Sequence, residues 1–235
     1  MHKNIICLFD DGRNKYSVDS WTRYANKVGY ELVISDQLLF DLQYMSVEWY
    51  IMYCLDILEA NNIEYEQVLC VNNTTLVHPN TPNIFDVTNN KLTGVRVYGD
   101  VDIMLSGMEI VSEIFNKHMF PFYTCLDTNL IIFNKTHKQT LHNIQNFYQE
   151  NYKTLNYIKQ KYGLNFSTPV FNSFFNEEIK DFTILNYEWN MQDMSRFEII
   201  TRDLLHTKYG YISQYNNIAN ANEIMKYTYD CLYKK

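Results

Sequence analysis

The sequence predicts an α/β fold, with a mostly parallel sheet flanked by helices in a single domain that ends in a C-terminal helical segment. Three observations lead there. Apolar runs of strand length alternate with amphipathic helical stretches through the first 100 residues, and a β-α-β-α-β order implies parallel strands joined by right-handed crossovers. The run Gln67–Val71 reads as a strand buried on both faces, which is the signature of a parallel sheet. Finally, 46% of the 235 residues are hydrophobic and 16% aromatic, so a large core is available, while seven Gly and four Pro are too few for a disordered or linker-rich chain.

The elements follow in order. Lys3 to Phe9 is the first strand, and it stops at Asp10-Asp11-Gly12-Arg13. Asp19 is placed to cap a helix through Lys27, with Trp21, Tyr24, Ala25 and Val28 at helical spacing and Gly29 in the left-handed cap position. Tyr30 to Ser35 is a second strand. Val47 to Glu59 carries Val47, Ile51, Cys54, Leu55 and Leu58 on one helical face. After the strand at Gln67–Val71 comes a polar knot, Asn72-Asn73-Thr74-Thr75, then Leu76-Val77 and a surface turn forced by Pro79 and Pro82. Lys91–Tyr98 reads as a strand and Asp102–Asn116 as a helix. Asn129–Phe133 is a strand, and Lys135–Tyr162 is one long or broken helix. Pro169 suits the first turn of a helix to Ile179. Thr183–Leu185 and Tyr211–Tyr215 are short strands, and Asn220 with Glu223 forms a capping-box pattern for a last helix through Leu232.

Charge and motif content remove several function classes. A net charge of −7 argues against a generally basic nucleic-acid binder, and the stretch holding Lys135, His137, Lys138, His142, Lys153, Lys159 and Lys161 reads as a solvated helix face. No apolar run spans a bilayer. The N-terminal apolar run reads as a strand rather than a signal peptide. Five scattered Cys with no Cys-x-x-Cys pair read as buried, reduced thiols, which predicts a cytoplasmic location. There is no Gly-x-Gly-x-x-Gly, no P-loop and no nucleophile elbow. In an open α/β sheet, ligands lie outside the carboxyl ends of the strands, so the knot at Asn72–Thr75 falls where a ligand should be.

The order strand, polar knot, Leu-Val, Pro turn, Phe-Asp resembles nucleotide-diphospho-sugar transferases of the glycosyltransferase A type, similar to glycogenin and the galactosyltransferases. The resemblance extends over most of the chain. Residues 20–35 (SWTRYANKVGYELVIS) are similar to the first helix and second strand of that family. Residues 122–138 resemble its Phe-Asn-Ser-Gly segment, with Asp127, Thr128 and Asn129 in the places of Asn, Ser and Gly. Residues 164–175 resemble its Asp-Gln-Thr-Pro-x-x-Asn helix start, keeping Thr168-Pro169 and Asn172. Residues 184–194 are similar to the segment that closes over the sugar, and 210–215 to the late strand that completes a metal site. The resemblance implies a Rossmann-like sheet, with residues 1–100 as the nucleotide-binding half and 101–235 as the acceptor-side half. It implies a nucleotide-diphosphate sugar donor, a UDP-sugar foremost. The acceptor is a carbohydrate, or the modified nucleic-acid base that small viral or phage-like chains of the family can serve. The chain acts alone or within a homo- or hetero-oligomer, and a catalytically inactive subunit supporting an active partner is the alternative.

The resemblance also implies a site. Phe9, Asp10, Arg13, Asn72, Asn73, Thr74, Thr128, Asn129, Trp189, Asn190 and Gln214 would contact the donor, and Asp127, Gln192 and Asp193 would serve catalysis. The family's Asp-x-Asp and late His, which hold a divalent cation, correspond here to Asn72, Thr74 and Gln214. Hard cations prefer charged oxygen ligands, so any Mn²⁺ or Mg²⁺ would be held weakly. A literal Asp-x-Asp at Asp100-Val101-Asp102 is the rival metal site, although its position at a helix start reads as capping. Without a metal, the leaving diphosphate calls for Arg or Lys, and Arg13, Lys135, Arg196 and Arg202 are the candidates.

Overall fold

The computed structural model describes residues 3–10, 12, 14–36, 40, 44–98, 101–163, 166–179, 181–192, 205–216, 218 and 220–234. Strand β1 (Ile5–Phe9) is buried at every position, and β3 (Gln67–Asn72) is buried up to its last residue. Such strands must lie inside a sheet covered on both faces. They do: the six-stranded sheet has the order β2-β1-β3-β6-β5-β7, built with β2 (Glu31–Ser35), β5 (Leu92–Arg96), β6 (Leu126–Asn134) and β7 (Phe182–Leu185). β1 pairs parallel with both β2 and β3, and β5 pairs parallel with β7. β6 runs antiparallel to β3 and β5. It therefore begins where its neighbours end, and Asp127–Asn129 open it at the sheet's carboxyl edge.

One face of the sheet is covered by α2 (Cys54–Ala60), α4 (Lys138–Tyr162) and α5 (Ser167–Glu178), through a cluster that includes Trp49, Leu58, Phe133, Ile144 and Phe171. The other is covered by α1 (Lys15–Val28), through Trp21, Tyr24, Leu69, Ile132 and Trp189. α3 (Val101–Phe115) follows β5, and its Gly107 lies so close to Pro169 of α5 that a Cβ there would meet the ring at 2.9 Å. A second, two-stranded sheet pairs β4 (Thr75–Val77) antiparallel with β8 (Ile212–Gln214). The short α6 (Leu205–Tyr209) precedes β8, and α7 (Ala221–Tyr233) packs on α1 and β4 through Leu76, Tyr215, Met225 and Tyr229.

Several expected boundaries move, each for a local reason. α1 starts at Lys15, where the Asn14 side chain accepts from the Ser17 N–H, so Asp19 lies inside the helix instead of capping it. Gly29 does end it in the left-handed conformation, at φ 77. Val47–Tyr53 is a 3-10 helix leading into α2, with the four successive side chains Trp49 to Met52 all buried. Lys135–His137 forms a 3-10 turn before α4, closed by reciprocal bonds between Asn134 and His137. Asn220 is itself left-handed, at φ 62, with no side-chain capping bond, so the capping box is not formed. Cys7, Cys54, Cys70 and Cys125 are buried free thiols, and Cys231 is a free thiol that is partly exposed. Burial pushes the thiols of Cys7, Cys70 and Cys125 well up. No described helix is long and apolar enough to cross a membrane.

Candidate functional site

β1, β3 and β6 converge at the carboxyl edge, and their ends are joined by side chains. Asp10, the residue after β1, accepts at one carboxylate oxygen from Gly12 N (3.0 Å) and from the Asn73 amide (2.9 Å). The backbone of Phe9, otherwise a core residue, accepts from Asn73 N. Beside it, the amide of Asn72 donates to Asn129 Oδ1 at 3.2 Å, which ties the end of β3 to the start of β6. The knot is held from below: Thr75 Oγ1 donates to the Asn72 carbonyl and accepts from the buried Trp21 indole N–H.

Asp127 is the hub. Its Oδ1 accepts from Asn129 N (2.8 Å) and Asn129 Nδ2 (2.7 Å), its Oδ2 accepts from Asn190 Nδ2 (3.1 Å), and Gln214 also hydrogen-bonds it. The Asn190 amide donates in addition to Gln214 Oε1 at 2.7 Å. Burial pushes the Asp127 carboxyl above its ordinary range, while the Asn129, Gln214 and Asn190 bonds pull it back. Asn190 Oδ1 and Thr74 Oγ1 are buried with no hydrogen-bond partner among the described residues. The Thr74 carbonyl accepts from Tyr215 N, and the neighbouring Thr75 is in register with Gln214.

The structure thus brings together Asp10, Asn72, Asn73, Thr74, Asp127, Asn129, Asn190 and Gln214. Thr128 lies beside them, its hydroxyl 2.9 Å from that of Thr168 at the start of α5. Asn172 of α5 clamps β6 by bonding both the N–H and the carbonyl of Leu126. Gln192 is engaged with the backbone: its side-chain amide donates to the Arg96 carbonyl (2.8 Å) and accepts from Tyr98 N (2.9 Å), fastening the tail of β5. Trp189 lies in the apolar core, 6% exposed, with its ring 4.8 Å from Tyr211. Only its neighbour Asn190 reaches the polar network. Lys135 follows the far end of β6, its ammonium over the Tyr65 ring, so it does not serve this edge. Asp102 sits in the first turn of α3. Arg13, Asp100, Asp193, Arg196 and Arg202 lie outside the described residues. Arg96 went unnoticed in the sequence, where a single charge closing an apolar strand belongs to no motif.

The donor set at Asn72, Thr74 and Gln214 is neutral, and two of its amides are already engaged. No group of three or more His, Cys, Asp or Glu able to hold a metal ion occurs among the described residues. These side chains do not fit a tightly held hard divalent cation.

Neither the protein-family models nor the curated proteins yield a sequence match. Among solved structures, this chain is similar to a glycosyltransferase involved in the glycosylation of the major capsid of PBCV-1. The TM-score is 0.62 at 10% identity, covering 96% of this chain and 98% of that one. The chain has a glycosyltransferase fold. It is also similar to the glycosyltransferase GlyE of Streptococcus pneumoniae TIGR4, with a TM-score of 0.51 at 10% identity, covering 97% of this chain and 61% of that one. In this glycosyltransferase fold the Asp127 network occupies the end of the sheet where ligands of open α/β proteins bind.

Proposed function

We propose that the protein is a glycosyltransferase that takes a sugar from a nucleotide-diphosphate donor, foremost a UDP-sugar, and passes it to a carbohydrate acceptor with weak or no dependence on a metal. The single observation that supports this reading most is the carboxylate–amide network at the carboxyl edge: one buried Asp127 surrounded by Asn129, Asn190 and Gln214, continuous with Asn72. Buried amides arranged around one carboxylate form a preorganised set of donors and acceptors, suited to the hydroxyls of a sugar ring.

In this reading the nucleotide lies over the ends of β1 and β3, near Phe9, Asp10 and Asn73. The diphosphate lies by Asn72 and Thr74, and the sugar over Asp127–Asn129. Asp127 fixes the orientation of Asn129 and Asn190 and accepts a sugar hydroxyl when the amides turn toward the ligand. Trp189 supports Asn190 from the core. The departing diphosphate needs its charge matched, and Arg13, four residues after Phe9 in sequence, is proposed for that role. Asp193 follows Gln192 directly and is proposed to orient the acceptor hydroxyl.

The test is a thermal-shift screen with UDP, GDP and their sugars, each with and without Mn²⁺. A rise with one nucleotide and its sugar, little altered by Mn²⁺, is the expected result. No rise with any nucleotide sugar would sink the reading.

A further inference from the structure

β5 ends in Arg96 at the same edge of the sheet, and this residue is anomalous. It is half-buried, its Nε is shielded from solvent, and its guanidinium makes no hydrogen bond or ion pair among the described residues. Several other cations are partnered: Lys91 with Asp181, Lys117 with Glu177, Lys138 with Glu59, and Arg23 against the Tyr229 hydroxyl and the Tyr233 ring. A partly desolvated charge without a counter-charge costs stability, so an unpaired one points to an anion that arrives from outside. Flexibility does not explain why no described residue pairs with it. The Arg96 carbonyl is bound by Gln192, its register partner is Leu126, and Leu126 is clamped by Asn172. The backbone is held on both sides, while the guanidinium has no partner among the described residues.

Strand order says which anion. In the sequence β1-β3-β6-β5 across the sheet, Asp10 and the Asn72–Thr74 knot stand on the first two strands, Asp127–Asn129 on the third and Arg96 on the fourth. The end of β5 therefore lies two strand spacings, about 10 Å, beyond the end of β3. Arg96 is on the far side of Asp127 from the knot, where a saccharide accepting the sugar would lie, and not where the diphosphate would.

We infer that Arg96 anchors an oxyanion of the acceptor, so that the acceptor is an acidic saccharide carrying a carboxylate or a phosphate close to the hydroxyl that is glycosylated. This rests on the transferase reading above. The planar guanidinium fork suits both groups through paired hydrogen bonds.

The experiment compares the wild-type protein with Arg96→Met and Arg96→Lys by calorimetry. The probes are UDP, a galacturonate trisaccharide, glucose 6-phosphate and neutral maltotriose. The expected result is that Arg96→Met weakens one or both acidic probes about tenfold or more, the scale of a charged hydrogen bond. Arg96→Lys restores part of the loss, and UDP affinity does not move. The uronate and sugar-phosphate arms tell carboxylate from phosphate. The thermal midpoint of Arg96→Met should equal or exceed that of the wild type, because an unpaired charge has been removed. Failure of the wild type to bind either acidic probe, equal binding by Arg96→Met, or loss of UDP in place of the acidic sugar overturns the inference. Acidic-probe binding that needs Arg96 in a protein that binds no nucleotide sugar would sink the transferase reading and leave the anion anchor standing.

Discussion

At the scale of single residues, the carboxyl edge of the sheet carries amides where charges would hold a cation. Asn72 and Gln214 are linked through Asn129, Asp127 and Asn190 into one network, and Thr74 joins it only through its backbone, whose carbonyl accepts from Tyr215 N next to Gln214. Restoring charge there has a clear expected outcome. Asn72→Asp with Thr74→Asp and Gln214→His should raise Mn²⁺ affinity by about tenfold or more, since hard cations reward charged oxygens. Calorimetry showing no gain would mean that the three positions do not converge. The individual residues were legible in the sequence, but their bonds were not. In sequence Asp127 is a carboxylate just before an expected strand, marked by the segment resembling Phe-Asn-Ser-Gly, whereas its amide contacts come from Asn129 and from the distant Asn190 and Gln214. Arg96 carries no local signal at all, because what marks it is the absence of a partner among the described residues.

Trp189 shows how the elements hold the site. The 3-10 helix Tyr187–Trp189 puts the indole into the core with Val95, Leu185 and Ile212, and the chain leaves it directly into Asn190. Met191 then bridges to β8, with Gly210 giving it room. Truncating Trp189 to Ala should cost about 3–5 kcal/mol of stability, the usual range for a buried large aromatic, whereas Trp189→Phe should cost clearly less. Denaturant unfolding of both variants decides it, and an Ala variant as stable as the wild type would place the indole in the cleft. Most elements were readable because their apolar spacing is strong. The exceptions are instructive. Val47–Tyr53, read as helical with one apolar face, winds as a 3-10 helix with Trp49 to Met52 all buried. At the start of α1, Asn14 won the cap over Asp19 because the apolar face already extends back to Ser17 and the Asn14 side chain is itself buried against Met225.

For the whole molecule, three buried histidines set an acid limit. His78, His137 and His206 are all held neutral, their imidazoles pushed down from 6.5 to about 4 by burial. The unfolded chain binds these protons more readily than the folded one between those values. Stability should therefore be intact near pH 7 and fall as pH drops from about 6.5 toward 4. The urea midpoint at pH 5 should lie below that at pH 7, and equal midpoints would show that the imidazoles titrate normally. His78 and His206 sit together beneath the β4–β8 ribbon, bonded to Ser213, Tyr215 and Thr228, so the loss should begin there. The fold class was predictable from alternation alone. The ribbon's partner choice was not, because two short apolar runs so distant in sequence carry no pairing signal.

That ribbon also orders events in time. His78 and Ser213 are separated by 135 residues, and Asp127 meets Asn190 across 63. The β1-α1-β2-α2-β3 unit, by contrast, closes over short distances in sequence and can form as soon as it is made. A growing chain therefore carries Asp127 for a long interval before Asn190 and Gln214 exist to shelter it, and its carboxylate stays hydrated until they do. The Asp127 network is thus completed late in synthesis, with only α7 still to follow, and a chaperone that holds the unfinished chain would be covering this edge of the sheet.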